Sequence, residues 1–260
     1  MRIAIIGAGN MGSWLVESLC LDYEVGIFDT DRNKLKYFFN SRKFLYLEEI
    51  LDFRPDMVIN AVSLEKTIAV FDEINSYLPK ECIIADITSV KSGLDDYYKK
   101  LGRRFVSTHP MFGPTFGNVK DLQDQNAIII SESDEEGKAF FREFFSSLKI
   151  RIHEYTFSEH DETIAYSLSI PFSSTMVFAA CMKEQDAPGT TFTKHNSIAK
   201  GLLSEDDYLL TEILLSPHSL GQVERINEQL ESLIGMIKSR DKEQLKGFFN
   251  QLRSNIGLKS

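Results

Sequence analysis

A glycine-rich turn near the N-terminus constrains the fold of this chain more than any other feature. The isoleucine-rich run Arg2–Ile6 predicts a short strand, and Gly7-Ala8-Gly9-Asn10-Met11-Gly12 follows it directly. An amphipathic stretch from Met11 to Leu21 then predicts a helix. A G-x-G-x-x-G segment between a strand and a helix is typical of dinucleotide-binding folds, because its glycines permit a tight turn and the close approach of a pyrophosphate.

The predicted cofactor contacts come from this turn and from the ends of the next strands. The first helix offers free N–H groups to phosphates at its N-terminus. Asp29 ends the second predicted strand, 17 residues after Gly12, where a carboxylate binds ribose hydroxyls and repels a 2′-phosphate. NAD is therefore expected rather than NADP, although the nearby Arg32 weakens that preference. The predicted cofactor-binding residues are Gly7, Gly9, Asn10, Met11, Gly12, Asp29, Val62 and Ser63.

Strand and helix patterns alternate over the first 155 residues. This alternation predicts an α/β, Rossmann-type fold, in which a doubly wound, mostly parallel sheet carries helices on both faces. The later strands are predicted at Glu24–Phe28, Met57–Val62, Cys82–Asp86, Phe105–Ser107, Ala127–Ile130 and Arg151–Tyr155. The helices between them are predicted at Lys34–Asn40, Thr67–Tyr77 and Phe140–Leu148.

After residue 155 the strand signals end, and apolar residues recur at helical spacing instead. We therefore predict a dinucleotide-binding Rossmann domain over residues 1–155 and an all-α domain over residues 156–260. The acidic clusters 134–136 and 205–207 are expected at solvated faces and helix N-termini. The helices predicted in the second domain are Thr163–Met182, Tyr208–Leu215, Leu220–Ile237 and Lys242–Ile256.

Composition restricts the class of protein. The chain carries 29 Lys and Arg against 38 Asp and Glu, a formal charge of −9, which argues against nucleic-acid binding. No apolar run is expected to approach the roughly 20 residues that span a bilayer, and the N-terminus lacks a secretory signal pattern. Cys20, Cys82 and Cys181 are far apart and form no disulfide or metal pattern. We expect a cytoplasmic protein without a metal.

Two further segments carry candidate catalytic residues. Ser89 and Lys91 lie in Asp86-Ile87-Thr88-Ser89-Val90-Lys91, directly after a predicted strand, where open parallel sheets bind their ligands. Ser89 could alternatively cap the following helix. His109 lies in the segment STHPMFGP, whose two prolines and glycine predict a stiff loop. An imidazole there can accept a proton near neutral pH, which the oxidation of a hydroxyl-bearing carbon requires.

These motifs together resemble one enzyme family. HPMFGP after a DxTSVK segment, on a GxGNMG N-terminus, is similar to the prephenate/arogenate dehydrogenases. Glu159-His160-Asp161 and the following ETIAYSLSIPFSSTMVFA look like the EHD helix of that family. The resemblance is closest to the dehydrogenase part of bifunctional chorismate mutase–prephenate dehydrogenases. It covers nearly the whole chain, and we expect no N-terminal mutase segment.

The resemblance implies a reaction. The substrate would be prephenate, or arogenate, whose cyclohexadienyl ring carries a 4-hydroxyl and a carboxylate. Hydride would leave C4 for NAD while CO₂ departs, so that prephenate yields 4-hydroxyphenylpyruvate in tyrosine biosynthesis. By resemblance, His109 polarises the 4-hydroxyl and Ser89 meets the same oxygen. The resemblance also implies a homodimer through the helical domain.

The chain departs from the family pattern where a substrate cation is expected. The family usually has an Arg in the segment FTKHNSIAKGL, residues 192–202, but here Lys194 and His195 are the nearest replacements. Lys supplies a point charge where Arg supplies a planar fork. A second family His after EHD is missing too, and Ser169 lies nearest to its position. The candidate substrate contacts are Lys91, His160, Ser169, Lys194 and His195.

Other functions remain open at this stage. An imine or hydroxyacid oxidoreductase would share the N-terminal glycine motif, but HPMFGP and EHD do not fit that class. A catalytically inactive NAD-binding sensor would fit the missing His and Arg. The choice between prephenate and arogenate is also open. Formation of NADH with prephenate, arogenate and a panel of hydroxyacids separates these alternatives.

Overall fold

The chain forms an eight-stranded sheet in the computed structural model, which describes residues 1–113, 122 and 124–258. The strands are β1 Arg2–Ile6, β2 Glu24–Phe28, β3 Arg42–Lys43, β4 Met57–Asn60, β5 Ile83–Asp86, β6 Phe105–Pro110, β7 Asn126–Ile130 and β8 Arg151–Tyr155. The helices are α1 Asn10–Leu19, α2 Glu49–Phe53, α3 Thr67–Ile74, α4 Leu94–Leu101, α5 Glu135–Ser147, α6 Phe157–Ile164, α7 Ile170–Cys181, α8 Thr190–Leu202, α9 Asp207–Leu215, α10 Ser219–Ser239 and α11 Lys242–Asn255.

The sheet order places the crevice where a ligand would bind. The strands lie in the order β3-β2-β1-β4-β5-β6-β7-β8, and every neighbouring pair is parallel except β6 and β7. The chain runs outward from β1 to β3 and then returns to β4 on the other side of β1. Open α/β sheets bind ligands beyond the carboxyl ends of their strands at such a reversal. The predicted Rossmann-type, mostly parallel sheet is confirmed.

Both faces of the sheet are buried, because side chains alternate between the faces along each strand. Ile3 and Ile5 pack with Leu15 of α1 in one apolar cluster. Ile6 packs with Phe71 of α3 in a second cluster. These five side chains are almost fully buried. Two buried faces explain why the strand sequences are continuously apolar rather than alternating.

Several elements differ from the sequence prediction. The helix predicted at Lys34–Asn40 is only a 3₁₀ turn over Lys34–Tyr37, because Phe38 turns to extended backbone. Strand β6 continues three residues beyond the predicted end at Ser107. The pair β6 and β7 is antiparallel, so it departs from the βαβ pattern. The elements β3, α2, α4 and α8 were not predicted, in part because β3 and α2 are too short to show a period.

Every element after β8 is helical within the described residues, as predicted. Helix α6, a π turn over Ala165–Ser169 and α7 form one continuous helical stretch, Phe157–Cys181. Among the described helices, this one alone is long and apolar enough to cross a membrane: its 25 residues contain an 18-residue window of mean hydropathy 1.4, of which 22% is buried. The expectation that no run approaches this length was wrong here, because interspersed Ser and Thr lower the mean hydropathy only slightly.

Candidate active site

A cleft of about 730 Å³ opens at the carboxyl ends of β1, β4, β5 and β6. Its sheet side is formed by the chain segments that follow β1, β4 and β5 and by the end of β6. Among its described lining residues, the charged ones are Glu205 and Asp206, both acidic. The opposite wall comes from the helical region and is mostly apolar, which excludes water: Leu168, Pro171, Phe172, Thr175, Ile198, Leu202, Leu209 and Ile213.

The glycine turn forms one end of the cleft. Gly7 has φ +104°, which favours glycine, and a Cβ there would lie 2.7 Å from the carbonyl oxygen of Ala61. A Cβ on Gly12 would lie 1.9 Å from the carbonyl oxygen of Gly7, so α1 can start this close to β1 only with glycine. Gly9 instead has open space around its missing Cβ and caps α1 without a side-chain hydrogen bond. The free N–H groups of the first turn therefore face a space that a phosphate can enter.

Apart from Asp29, the predicted cofactor residues fall into two groups relative to the cleft. Gly9, Asn10, Met11, Val62 and Ser63 line it. Gly7 and Gly12 lie behind this wall and shape the turn.

Asp29 lies at the end of β2, with its carboxylate bonded to the glycine turn. One oxygen accepts a hydrogen bond from the N–H of Ala8 at 2.7 Å, and the other accepts from the N–H of Asp31 at 2.8 Å. Lys34 lies 3.5 Å from the same carboxylate. Asp29 thus orients the turn directly, and the contact with a ribose stays a prediction.

His109 and Ser89 both line the cleft, His109 from the end of β6 and Ser89 from the segment that follows the neighbouring strand β5. His109 is the next-to-last residue of β6 and pairs with Ile128 of β7, so sheet pairing holds its backbone. The predicted stiff loop is therefore not what positions this imidazole. Pro114, the second proline of that segment, lies outside the described residues. Ser89 follows β5, and the Ser89 side chain is not a helix cap because α4 begins only at Leu94, after Gly93.

A second imidazole lies directly behind His109. Nδ1 of His109 is 3.1 Å from Nε2 of His160, and Nδ1 of His160 is 3.0 Å from Oδ1 of Asp161. His160 is fully buried and does not line the cleft. Among the described residues, Nε2 of His109 has no hydrogen-bond partner, and it is the ring nitrogen left for the cleft.

Both imidazoles are held in the neutral form. Burial holds the pKa of His109 well below its usual 6.5, and repulsion by His160 and by Lys91 adds to this. Burial also lowers the pKa of His160, against the opposing effect of its hydrogen bond with Asp161. A neutral imidazole is the form that can accept a proton.

Lys91 points away from the cleft into a buried polar cluster. Its ammonium donates to Oδ1 of Asp86 at 2.5 Å, to the carbonyl of Thr108 at 2.7 Å and to the hydroxyl of Thr88 at 3.2 Å. Tyr98 of α4 donates to the other oxygen of Asp86 at 2.6 Å. Burial lowers the pKa of Lys91 against the attraction of Asp86. This cluster braces β5 against β6, next to His109.

The other candidate substrate contacts lie away from the cleft wall. Ser169 is fully buried, and its hydroxyl lies 2.6 Å from that of Ser219. Lys194 and His195 are exposed on α8, and neither lines the cleft. His195 is 3.0 Å from the carbonyl of Thr191 in its own helix. Their contact with substrate stays a prediction that this geometry does not support.

Sequence reasoning missed two parts of this site. It gave Asp86 and Tyr98 no role, although Leu94, Tyr98 and Leu101 have the spacing of a helix face and predict α4. It also treated the acidic cluster 205–207 as a solvated helix start. Asp206 does cap α9, but Asp206 and Glu205 also line the cleft. Within the described residues, no group of three or more His, Cys, Asp or Glu side chains could hold a metal ion.

Comparison with known proteins shows which proteins this chain is similar to. Residues 32–153 match the family model described as prephenate dehydrogenase, nucleotide-binding domain. The match covers a little under half of the chain, and over this part the chain is similar to prephenate dehydrogenases. The T-protein of Enterobacter agglomerans is 23% identical over 211 residues, which cover 77% of this chain and 56% of that protein. The chain spans about half the length of the first curated relatives it matches.

Two solved structures share the fold over almost the full length. Prephenate dehydrogenase from A. aeolicus, in complex with hydroxyphenyl propionate and NAD⁺, matches with a TM-score of 0.84 and 18% identity, covering 98% of this chain and 96% of that one. Arogenate dehydrogenase from Synechocystis matches with a TM-score of 0.77 and 16% identity, covering 99% of both chains. At these identities the likeness concerns the fold.

Proposed function

We propose that this chain catalyses the oxidative decarboxylation of prephenate to 4-hydroxyphenylpyruvate, with NAD as the hydride acceptor. The observation that carries this proposal is the position of His109. Its neutral imidazole lines the same cleft as Ser89 and the glycine turn. The matching family model and the names of the relatives support the same reaction.

The residues of the turn fit a dinucleotide. Open space at Gly9 and the uncapped first turn of α1 would receive the pyrophosphate. Asp29 holds the turn, and in this proposal its carboxylate also binds the ribose hydroxyls. Val62 and Ser63 line the cleft beyond β4. When bound, NAD⁺ supplies the electrophile that accepts hydride from C4 of the ring.

In this proposal the side chains of the cleft bind the substrate hydroxyl and shield it from solvent. Nε2 of His109 accepts a hydrogen bond from the 4-hydroxyl, which becomes acidic as hydride leaves C4. The proton returns to the oxygen once CO₂ has left C1, because the phenol product retains its hydroxyl. Ser89 also lines the cleft, and in this proposal its hydroxyl orients the same oxygen. The apolar wall strengthens these polar contacts by excluding water.

Substitution of His109 tests the proposal. General-base assistance is worth roughly 10²–10⁴-fold, so His109→Asn should lower kcat by that factor and leave the Kd of NAD unchanged. Formation of NADH with prephenate measures the effect. His153→Asn is the matched control, because His153 is exposed on β8 and bonds to Asn126. Wild-type turnover in His109→Asn would refute the assignment, and a wild type that binds NAD without turning over any substrate would instead support the sensor.

Arogenate is the second candidate substrate, and the charge of the cleft favours it. Arogenate carries an ammonium group where prephenate carries a keto group. The charged side chains among the described lining residues are Glu205 and Asp206, and Asp206 already accepts hydrogen bonds from the N–H groups of Tyr208 and Leu209. Glu205 is half-buried and lines the cleft. The ratio of kcat/KM for arogenate to that for prephenate decides between the two substrates.

We also propose that the chain forms a homodimer through its helical region. Val223, Leu230, Ile234 and Ile237 follow one face of α10 at helical spacing, and all four are exposed. An apolar helix face of this length favours a partner surface. We further propose a cytoplasmic enzyme that does not bind membrane, in which the helical stretch Phe157–Cys181 serves as a wall of the cleft. The acidic charge of the chain argues against nucleic-acid binding.

A further inference from the structure

We propose that the carboxylate of Asp161 determines which ring nitrogen carries the proton in His160 and, through His160, in His109. The inference rests on the proposed function, in which His109 accepts the hydrogen bond of the substrate hydroxyl. His160 and Asp161 lie behind His109 and do not line the cleft. They are positioning residues, which act on the substrate only through His109.

The order of the hydrogen bonds leaves one arrangement of protons. An ionised carboxylate can only accept, so Nδ1 of His160 must donate to Oδ1 of Asp161 across their 3.0 Å contact. A neutral His160 then has a bare Nε2, which accepts from Nδ1 of His109 across 3.1 Å. A neutral His109 with its proton on Nδ1 has a bare Nε2. That nitrogen is the one left for the cleft, and it is ready to accept a hydrogen bond.

The opposite arrangement would disable the site. If Nε2 of His160 carried the proton, it would donate to Nδ1 of His109. The proton of His109 would then lie on Nε2, where it would donate to the substrate hydroxyl and could not receive a proton from it. The Asp161 carboxylate disfavours this arrangement, because Oδ1 of Asp161 would then face an unprotonated Nδ1 of His160, and neither atom could donate.

The surroundings keep both rings neutral. His109 and His160 are 6% and 0% exposed. From the sheet side, the buried ammonium of Lys91 opposes a positive charge on either ring, while its partner Asp86 and the helix residue Asp161 attract one at His160. Burial outweighs that attraction, and the pKa of each ring lies below 6.5. Side-chain exposure of 31% at Asp161 means that it can be changed without creating a cavity.

Asp161→Asn is the decisive variant. The amide offers Nδ1 of His160 either an oxygen or an N–H group, so the fixed preference is lost together with a charge-assisted hydrogen bond. We expect kcat to fall about 10- to 100-fold, while KM, the Kd of NAD and the unfolding midpoint stay close to wild type. Glu162→Gln removes the same charge from the next, exposed residue of α6 and should change none of these values.

A conservative variant of His160 keeps the test independent of folding. In His160→Gln the side-chain oxygen can still accept from Nδ1 of His109, so this variant should retain more kcat than His160→Leu. If both variants fold and lose the same activity, a proton acceptor at this position has no role.

The proton positions can be read directly by ¹⁵N NMR of the histidine rings in the unliganded protein near pH 7. The inference requires a protonated Nδ1 and a bare Nε2 in His109 of the wild type, and a mixture of tautomers in Asp161→Asn. A protonated Nε2 in wild-type His109 would overturn the inference whatever the activity. Absence of turnover in the wild type would overturn the proposed function but leave the NMR result to decide this inference.

Discussion

Replacement of Lys91 tests whether this residue braces the site or binds substrate. Lys91 and Asp86 are both fully buried, and the ammonium makes three hydrogen bonds. Lys91→Met retains most of the side-chain volume and leaves the Asp86 carboxylate without its counter-charge. Breaking a buried pair in this way costs about 3–5 kcal/mol. Thr88 and Tyr98 still donate to the carboxylate, so we expect about 3 kcal/mol, at the lower end of that range.

Urea unfolding over a range of pH measures this loss. In the wild type, burial acts to raise the pKa of Asp86, but Lys91 outweighs it and the pKa lies below 3.8. The pair therefore stabilises the fold above pH 3.8, and this stabilisation is lost as pH falls through the lowered pKa. In Lys91→Met, burial without the cation should raise the pKa of Asp86 above 3.8. Protonation of Asp86 then removes the cost of a buried, unpaired carboxylate from the folded variant. The difference in free energy of unfolding between variant and wild type should therefore shrink as pH falls from 7 towards 4.

A matched variant isolates the effect of burial. Lys99→Met removes an exposed pair with Asp95 on α4, and its unfolding midpoint should stay with the wild type. The KM for substrate should not change in Lys91→Met at temperatures where the variant is folded, because Lys91 does not line the cleft. If Lys91→Met has wild-type stability and a raised KM, Lys91 is a substrate ligand and the reasoning fails.

Two further predictions concern the glycine turn and the helical surface. Gly9→Ala should keep the wild-type unfolding midpoint but raise the Kd of NAD at least about tenfold, because its Cβ fills the phosphate space. Gly12→Ala should lower the unfolding midpoint, because its Cβ meets the Gly7 carbonyl at 1.9 Å. If calorimetric titration and thermal unfolding show equal effects for the two variants, this prediction is wrong. The dimer should have twice the chain mass of 29.7 kDa by light scattering, and Leu230→Glu with Ile234→Glu should give a monomer, while a monomeric wild type would exclude the dimer.

The features that the sequence predicted well depend on local backbone and periodicity. The strand at Arg2–Ile6, the glycine turn and the strand end at Asp29 lie where they were expected, because each depends on neighbouring residues. The end of β6 was misplaced. His109 lies in an antiparallel pair with β7, and that pairing depends on a strand 19 residues further along the chain.

Side-chain directions were decided by tertiary packing. Lys91 follows a strand end as a substrate-binding residue would, yet Asp86, Thr88 and the carbonyl of Thr108 draw its ammonium into the interior. His109 and His160 are 51 residues apart, and only the docking of α6 against the end of β6 brings their rings to 3.1 Å. Residue types and local spacing indicate which groups the chain possesses. Which nitrogen, oxygen or ammonium faces the cleft depends on burial and on partners distant in sequence, and those come only from the folded chain.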